Sequence, residues 1–152
     1  MKVNKQDKAE ARDLFMKTVE ELGGRFMEDD DSEDEGISFY YQGELFRAYF
    51  SSMWVELLRM FWKTIDMYDV DVYHRLREAI NKANESCRVT TYYTIDEQQK
   101  EVDVHSKSMF IFGSEIKDAK LYLYTQLKFF FDAIHSIELE FERRNRVYYD
   151  DD

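Results

Sequence analysis

The feature that most constrains this chain is how its glycines fall in a sequence without proline. There are five glycines in 152 residues, at Gly23, Gly24, Gly36, Gly43 and Gly113, and each stands where hydrophobic periodicity changes. With no proline to break elements, these positions act as the punctuation. Before the first pair, Ala11, Leu14, Phe15, Val19 and Leu22 recur at the spacing of one helical face, which predicts a helix from about Lys5 to Leu22. Beyond it, Arg25 to Asp29 has room for a short strand. Ile37, Phe39 and Tyr41 then alternate with Ser38, Tyr40 and Gln42, which is strand periodicity. Gln42-Gly43 permits a tight hairpin into Leu45 to Ser51.

The next segment, Trp54 to Ile65, carries apolar residues in both phases. Trp54, Leu58, Met60 and Trp62 share one face, and Val55, Leu57, Phe61 and Ile65 the other. A strand of that kind is expected to be buried on both sides, covered on the second by a helix of this chain or by a second subunit. Helical spacing returns at Val72, Leu76, Ala79, Ile80 and Ala83, with Asp71 as the expected N-cap. Cys87 to Ile95 and Glu101 to Phe112 read as a hairpin. Ser114 is the expected cap of a last helix, whose apolar face runs from Ile116 through Leu123, Leu127, Phe130, Ile134 and Ile137 to Phe141 over about nine turns. The expected fold is α+β in the order α-β-β-β-α-β-β-α. Its antiparallel sheet has five strands, or six with Arg25 to Asp29. The first and last helices pack on one face and the middle helix lies at an edge or on the other side. No linker or repeat divides the chain, so residues 1–152 read as one domain, with a flexible acidic tail at 150–152.

Charge excludes some function classes. The formal net charge is −11. Seven acids lie in Glu28 to Glu35 and three in Asp150 to Asp152, leaving 22 acids against 21 bases elsewhere. The body is therefore nearly neutral and has no basic stripe for phosphate contacts, which argues against nucleic acid and against an anionic membrane. Arg143, Arg144 and Arg146 read as helix C-terminal charge. The polar N-terminus, the short apolar runs and the single cysteine, Cys87, predict a cytoplasmic protein without a membrane span.

The acid block invites comparison with a calcium loop. Counting from Asp31 puts Glu33 and Glu35 at the third and fifth places, Gly36 at the sixth and Gln42 at the twelfth. A calcium loop needs a bidentate glutamate at the twelfth place and a helix beyond it, whereas this chain offers a neutral amide after a strand. Asp29, Asp30, Asp31, Glu33, Asp34 and Glu35 are read first as a solvated inter-strand loop, then as a partner-binding acidic patch, and last as a weak cation site. Asp132, His135 and Glu138 share one side of the last helix but lack the second Glu-x-x-His copy of a carboxylate-bridged metal site. His74 is expected to pair with Glu78. His105 is expected to hold an exposed or half-exposed ring, and Cys87 to be a small buried apolar residue. No nucleophile elbow, P-loop, dinucleotide fingerprint or zinc-protease motif occurs. No catalytic, cofactor or metal residue is assigned.

The aromatic content, 12 Phe and 11 Tyr, exceeds what one core stripe needs, since Phe129-Phe130-Phe131 alone covers about 200° of its helix. Tyr40, Tyr49, Trp54 and Trp62 are the expected partner-binding residues. The alternative is a small-molecule or catalytic pocket between the sheet and the last helix.

A helix ending "LGGRF", an acid-rich turn "EDDDSEDEG" and the strands "ISFYYQGELFRAYF", in this element order, resemble the YbjN-like family of bacterial proteins. That resemblance covers about Asp7 to Arg143. It implies a fold similar to type III secretion chaperones in a small cytoplasmic bacterial protein of the sensory transduction regulator kind, with no established catalytic residues to carry over. The chaperone branch implies a homodimer that binds extended segments of a protein partner.

Overall fold

The computed structural model describes residues 5–28, 35–52 and 54–150 of the chain. Three helices and six strands follow in the order α1 (Lys5–Glu21), β1 (Arg25–Phe26), β2 (Ile37–Tyr41), β3 (Glu44–Ser51), β4 (Trp54–Asp66), α2 (Val70–Asn84), β5 (Thr90–Asp96), β6 (Glu101–Ile111) and α3 (Ala119–Asp150). The strands form one antiparallel sheet in the order β1-β2-β3-β4-β6-β5. This is the expected α+β class, and the optional sixth strand exists as the two residues of β1. No helix of the described chain is long and apolar enough to cross a membrane.

The chain forms two compact units, Met1–Met60 with Lys107–Leu127, and Phe61–Ser106 with Lys128–Asp152. In the first, α1 stops where Gly23 takes φ +95° and Gly24 turns its N–H to the Val19 carbonyl at 2.9 Å. A side chain at Gly24 would meet Val19 Cγ1 at 2.5 Å, so only glycine lets the chain double back there. Gln42 and Gly43 both have positive φ, 50° and 79°, the signature of the two-residue turn that suits the twist of a hairpin. It sets the register Tyr41↔Glu44 and Phe39↔Phe46. Phe15 of α1 lies edge-on to Phe39, Phe50 and Phe112 at 5.3–5.8 Å. Phe110 and Phe112 in turn meet Tyr122 of α3. The core of this unit is thus aromatic, and its helices occupy the face carrying Phe39, Phe46, Phe50 and Phe112.

The second unit has a smaller aliphatic core: Leu76, Ala79, Ile80 and Ala83 of α2, Val104 of β6 and Ile137 of α3, with Trp62, Ile65, Cys87, Tyr93 and Phe141 packed around them. Asn84 ties the end of α2 to β5, donating to the Thr91 carbonyl and accepting from the Thr91 N–H at 2.9 and 3.0 Å. Arg75 stacks on the Phe141 ring 4.8 Å from its centroid. Its buried Nε and Nη1 have no hydrogen-bond partner, so the ring quadrupole is what offsets their desolvation.

Two expected caps are displaced. The N-cap of α2 is Asp69, whose carboxylate accepts from the Val72 N–H at 3.2 Å, and Asp71 is the acid of the first turn. The last helix starts at Ala119, where Asp118 accepts from the Leu121 N–H at 3.1 Å, and Ser114 belongs to the preceding turns. In both cases the cap is the carboxylate that stands three residues before a first-turn N–H and reaches it, Asp69 to Val72 and Asp118 to Leu121.

Candidate interaction surface

The register of the first unit assigns its side chains to faces without ambiguity. Phe39, Phe46 and Phe50 point to α1, so their alternates Tyr40, Leu45, Arg47 and Tyr49 point the other way. Paired residues share a face, which adds Leu58 opposite Arg47, Glu56 opposite Tyr49 and Trp54 opposite Ser51. Met60 follows Leu58 in phase, and Met109 and Ile111 alternate with the core residue Phe110 on β6. The exposed members are Tyr40, Leu45, Trp54 at 43%, Met60, Met109 at 59% and Ile111 at 44%. The helices of this unit pack on the opposite face. A cluster of large apolar side chains on a sheet face marks an interaction surface more often than chance exposure does.

Arg47 organises one side of this face. Its Nε donates to the Tyr49 hydroxyl at 2.8 Å, its Nη1 to Ser38 Oγ at 2.7 Å and its Nη2 to the Gly36 carbonyl at 3.4 Å, while the guanidinium lies 5.2 Å from the Tyr49 ring centroid. Gly36 makes room for it, since a side chain there would come within 2.7 Å of Tyr49 and 2.9 Å of Arg47. Arg25 similarly stands over Tyr40 at 5.8 Å.

Three of the four expected partner-binding residues, Tyr40, Tyr49 and Trp54, therefore share this face. Trp62 does not belong with them. Phe61 adopts φ 53° in mid-strand, the backbone of a bulge, and a bulge shifts the alternation by one residue. Trp62 accordingly donates its indole N–H to the buried Ser106 hydroxyl at 3.1 Å and packs on the aliphatic core. Phe61, expected to be buried, is 61% exposed. The strand is thus not closed on both sides as expected. Leu45, Met60, Met109 and Ile111 escaped the sequence reading because single aliphatics announce nothing until the register groups them.

Of the acidic patch, Asp29, Asp30, Asp31, Glu33 and Asp34 lie outside the described residues. Glu35 is exposed and pairs with Lys8 of α1 at 2.5 Å. Glu28 and Glu35 border a cleft of about 660 Å³ between α1 and the β1–β2 edge, with Lys8, Arg12, Met16 and Phe26. Among the described residues no group of three or more His, Cys, Asp or Glu side chains is placed to hold a metal. Glu138, one of the carboxylates weighed for such a site, is held by Lys63 at 3.1 Å. His74 pairs with Glu78 at 2.9 Å. Cys87 is half-buried against the aliphatic core.

His105 departs furthest from expectation, being 1% exposed. Its Nδ1 accepts the Phe61 backbone N–H at 3.0 Å and its Nε2 meets Thr94 Oγ1 at 2.7 Å. An accepting Nδ1 places the ring proton on Nε2, which donates to Thr94. Burial pushes the imidazole below its usual pKa, against the opposing pull of Asp103. Asp103, His105 and Ser106 are close in sequence yet form no catalytic relay. Asp103 accepts from the Thr64 hydroxyl at 2.8 Å, and Ser106 bonds Thr91 at 2.8 Å on the side of the strand away from the imidazole.

No protein-family model matches the chain, and no curated protein sequence does. Its fold is similar to that of an uncharacterized protein from Methanothermobacter thermautotrophicus in crystal form, with a TM-score of 0.55 at 10% identity over 88% of this chain and 98% of that one. At that identity the likeness is one of fold.

Proposed function

We propose that the protein is a non-enzymatic interaction module that binds a protein partner on the open sheet face of its first unit. The observation that carries this reading is the clustering of Tyr40, Leu45, Trp54, Met60, Met109 and Ile111 on the side opposite α1. Tyrosine and tryptophan there combine an apolar body with a polar tip, the chemistry of surfaces that associate without being sticky alone. A cytoplasmic, chaperone-like role of the YbjN-like kind accords with the element order, and a homodimer formed on the same face is one form the partnership takes. The test is affinity capture from the native host with wild-type protein beside a Trp54→Glu, Met109→Glu variant, together with light scattering. A bound protein or a dimer that disappears in the variant supports the reading. A wild-type chain that is monomeric and retains nothing the variant loses overturns it.

The cleft beside α1 favours a second reading, a small-molecule site. Its volume is that of ligand pockets in general, and Lys8 and Arg12 would meet an anionic group while Met16 and Phe26 meet an apolar one. It lies beside α1 and the β1–β2 edge. A metabolite retained in native mass spectrometry, and lost on Arg12→Ala, would favour this reading over the first.

A further inference from the structure

Phe61 combines three features that do not ordinarily occur together. It is an aromatic residue at positive φ, where residues other than glycine cost about 1 kcal/mol or more. Its backbone N–H goes to a side chain, the imidazole Nδ1 of His105. Its ring, mostly exposed, stands edge-on over that same imidazole with centroids 4.6 Å apart. The left-handed conformation is therefore held from below by one acceptor atom and one ring face, both belonging to His105.

That acceptor exists in only one protonation state. Neutral imidazole with its proton on Nε2 offers a lone pair at Nδ1; imidazolium carries N–H groups at both positions and accepts nothing. A proton taken from solvent onto Nδ1 would set two N–H donors against each other across 3.0 Å and leave the Phe61 amide without a partner. We propose that His105 is a proton-operated latch, which holds the Phe61 bulge in its left-handed form while neutral and releases it when protonated. This goes beyond the interaction reading, since it concerns the second unit and does not depend on what binds the first.

The surroundings of the ring fit such a role. From β5 it meets the Thr94 hydroxyl and the Tyr92 ring at 5.1 Å, and from β4 the Phe61 amide and ring. On its own strand the charged residues in phase are Asp103, tied to Thr64, and Lys107, each two positions away, and Glu101 at the start of the strand. Lys63 of β4 is engaged by Glu138 and the Phe141 ring. The α2 and α3 side chains pack on the alternate residue, Val104, from the other side of the strand. Asp103 is the carboxylate whose charge favours the cation. Burial opposes it, and so the latch is closed at neutral pH and opens on acidification below the ordinary histidine range.

The test is an NMR titration of the intact protein from pH 7.5 to 4.5, following the His105 ring carbons and the Phe61 amide. The expected result is a Phe61 amide resonance that moves with the same midpoint as the ring. Its protection against exchange, referred to the intrinsic rate at each pH, should fall about tenfold on the acid side, as for the loss of a hydrogen bond. A His105→Asn variant keeps an acceptor oxygen near the Nδ1 position and cannot titrate, so its Phe61 amide should be indifferent to pH. The latch is overturned by any of three results: a ring that stays neutral until the protein unfolds, a Phe61 amide that ignores the ring midpoint, or an asparagine variant that keeps the wild-type pH response. If the variant does not fold, the wild-type titration decides alone.

Discussion

The burial of His105 ties one imidazole to the stability of the chain. Its pKa is lowered in the folded state, chiefly by burial and against Asp103, so below about pH 6.5 the unfolded chain takes up more protons than the folded one. The stability that the neutral ring contributes is complete above that value and is lost as pH falls towards the folded pKa. Urea unfolding at pH 7.5, 6.0 and 5.0 should show the midpoint falling on acidification, with a shallower decline in His105→Asn. The opposite trend would mean that Asp103 outweighs burial. Gly36 offers a second residue-scale test. Gly36→Ala would press on the Arg47–Tyr49 pair, both of which can swing aside, so a loss of about 1 kcal/mol is expected by chemical denaturation. Neither site could be seen in sequence. His105 alternates with Val104 as an outward residue should, and only the bulge at Phe61 folds a ring back over it.

Elements were legible where a long period repeated and less so where a single residue decides. The helices, the hairpin at Gln42-Gly43 and the strand β6 follow from periodicity and the glycines, because burying one face fixes phase over many residues at once. The caps went to Asp69 and Asp118 because capping depends on which oxygen reaches a first-turn N–H, a matter of one residue. Asp69→Ala should cost about 1 kcal/mol, and Asp71→Ala, which removes only first-turn charge, about half that or less. Thermal melts of the two variants side by side would check the order. The β2–β3 turn also bears on the calcium comparison. Gln42 belongs to the hairpin turn and offers a neutral amide in place of the bidentate carboxylate that a calcium loop needs at its twelfth place. Millimolar calcium is therefore expected to leave the melting temperature unchanged, as read by scanning fluorimetry.

At the scale of the whole molecule, the two units differ in kind. One is packed with phenylalanine beneath an open apolar face, and the other has an aliphatic core crossed by a buried polar network. Truncating the second core at Ile137→Ala should cost about 2–5 kcal/mol. The glutamate pair at Trp54 and Met109 should change stability by less than about 1 kcal/mol while removing partner capture. Calorimetry beside the pull-down separates the two effects. The chain also contains only two tryptophans, and they fall one on each side of this division. Trp54 is 43% exposed on the open face, whereas Trp62 is anchored by Ser106 beside the aliphatic core. Intrinsic fluorescence is therefore a two-channel readout needing no label: a red-edge emission that iodide quenches and a docked partner shields, and a blue component that holds until the second core comes apart. With either indole replaced by phenylalanine, binding and unfolding can be followed separately in the same cuvette.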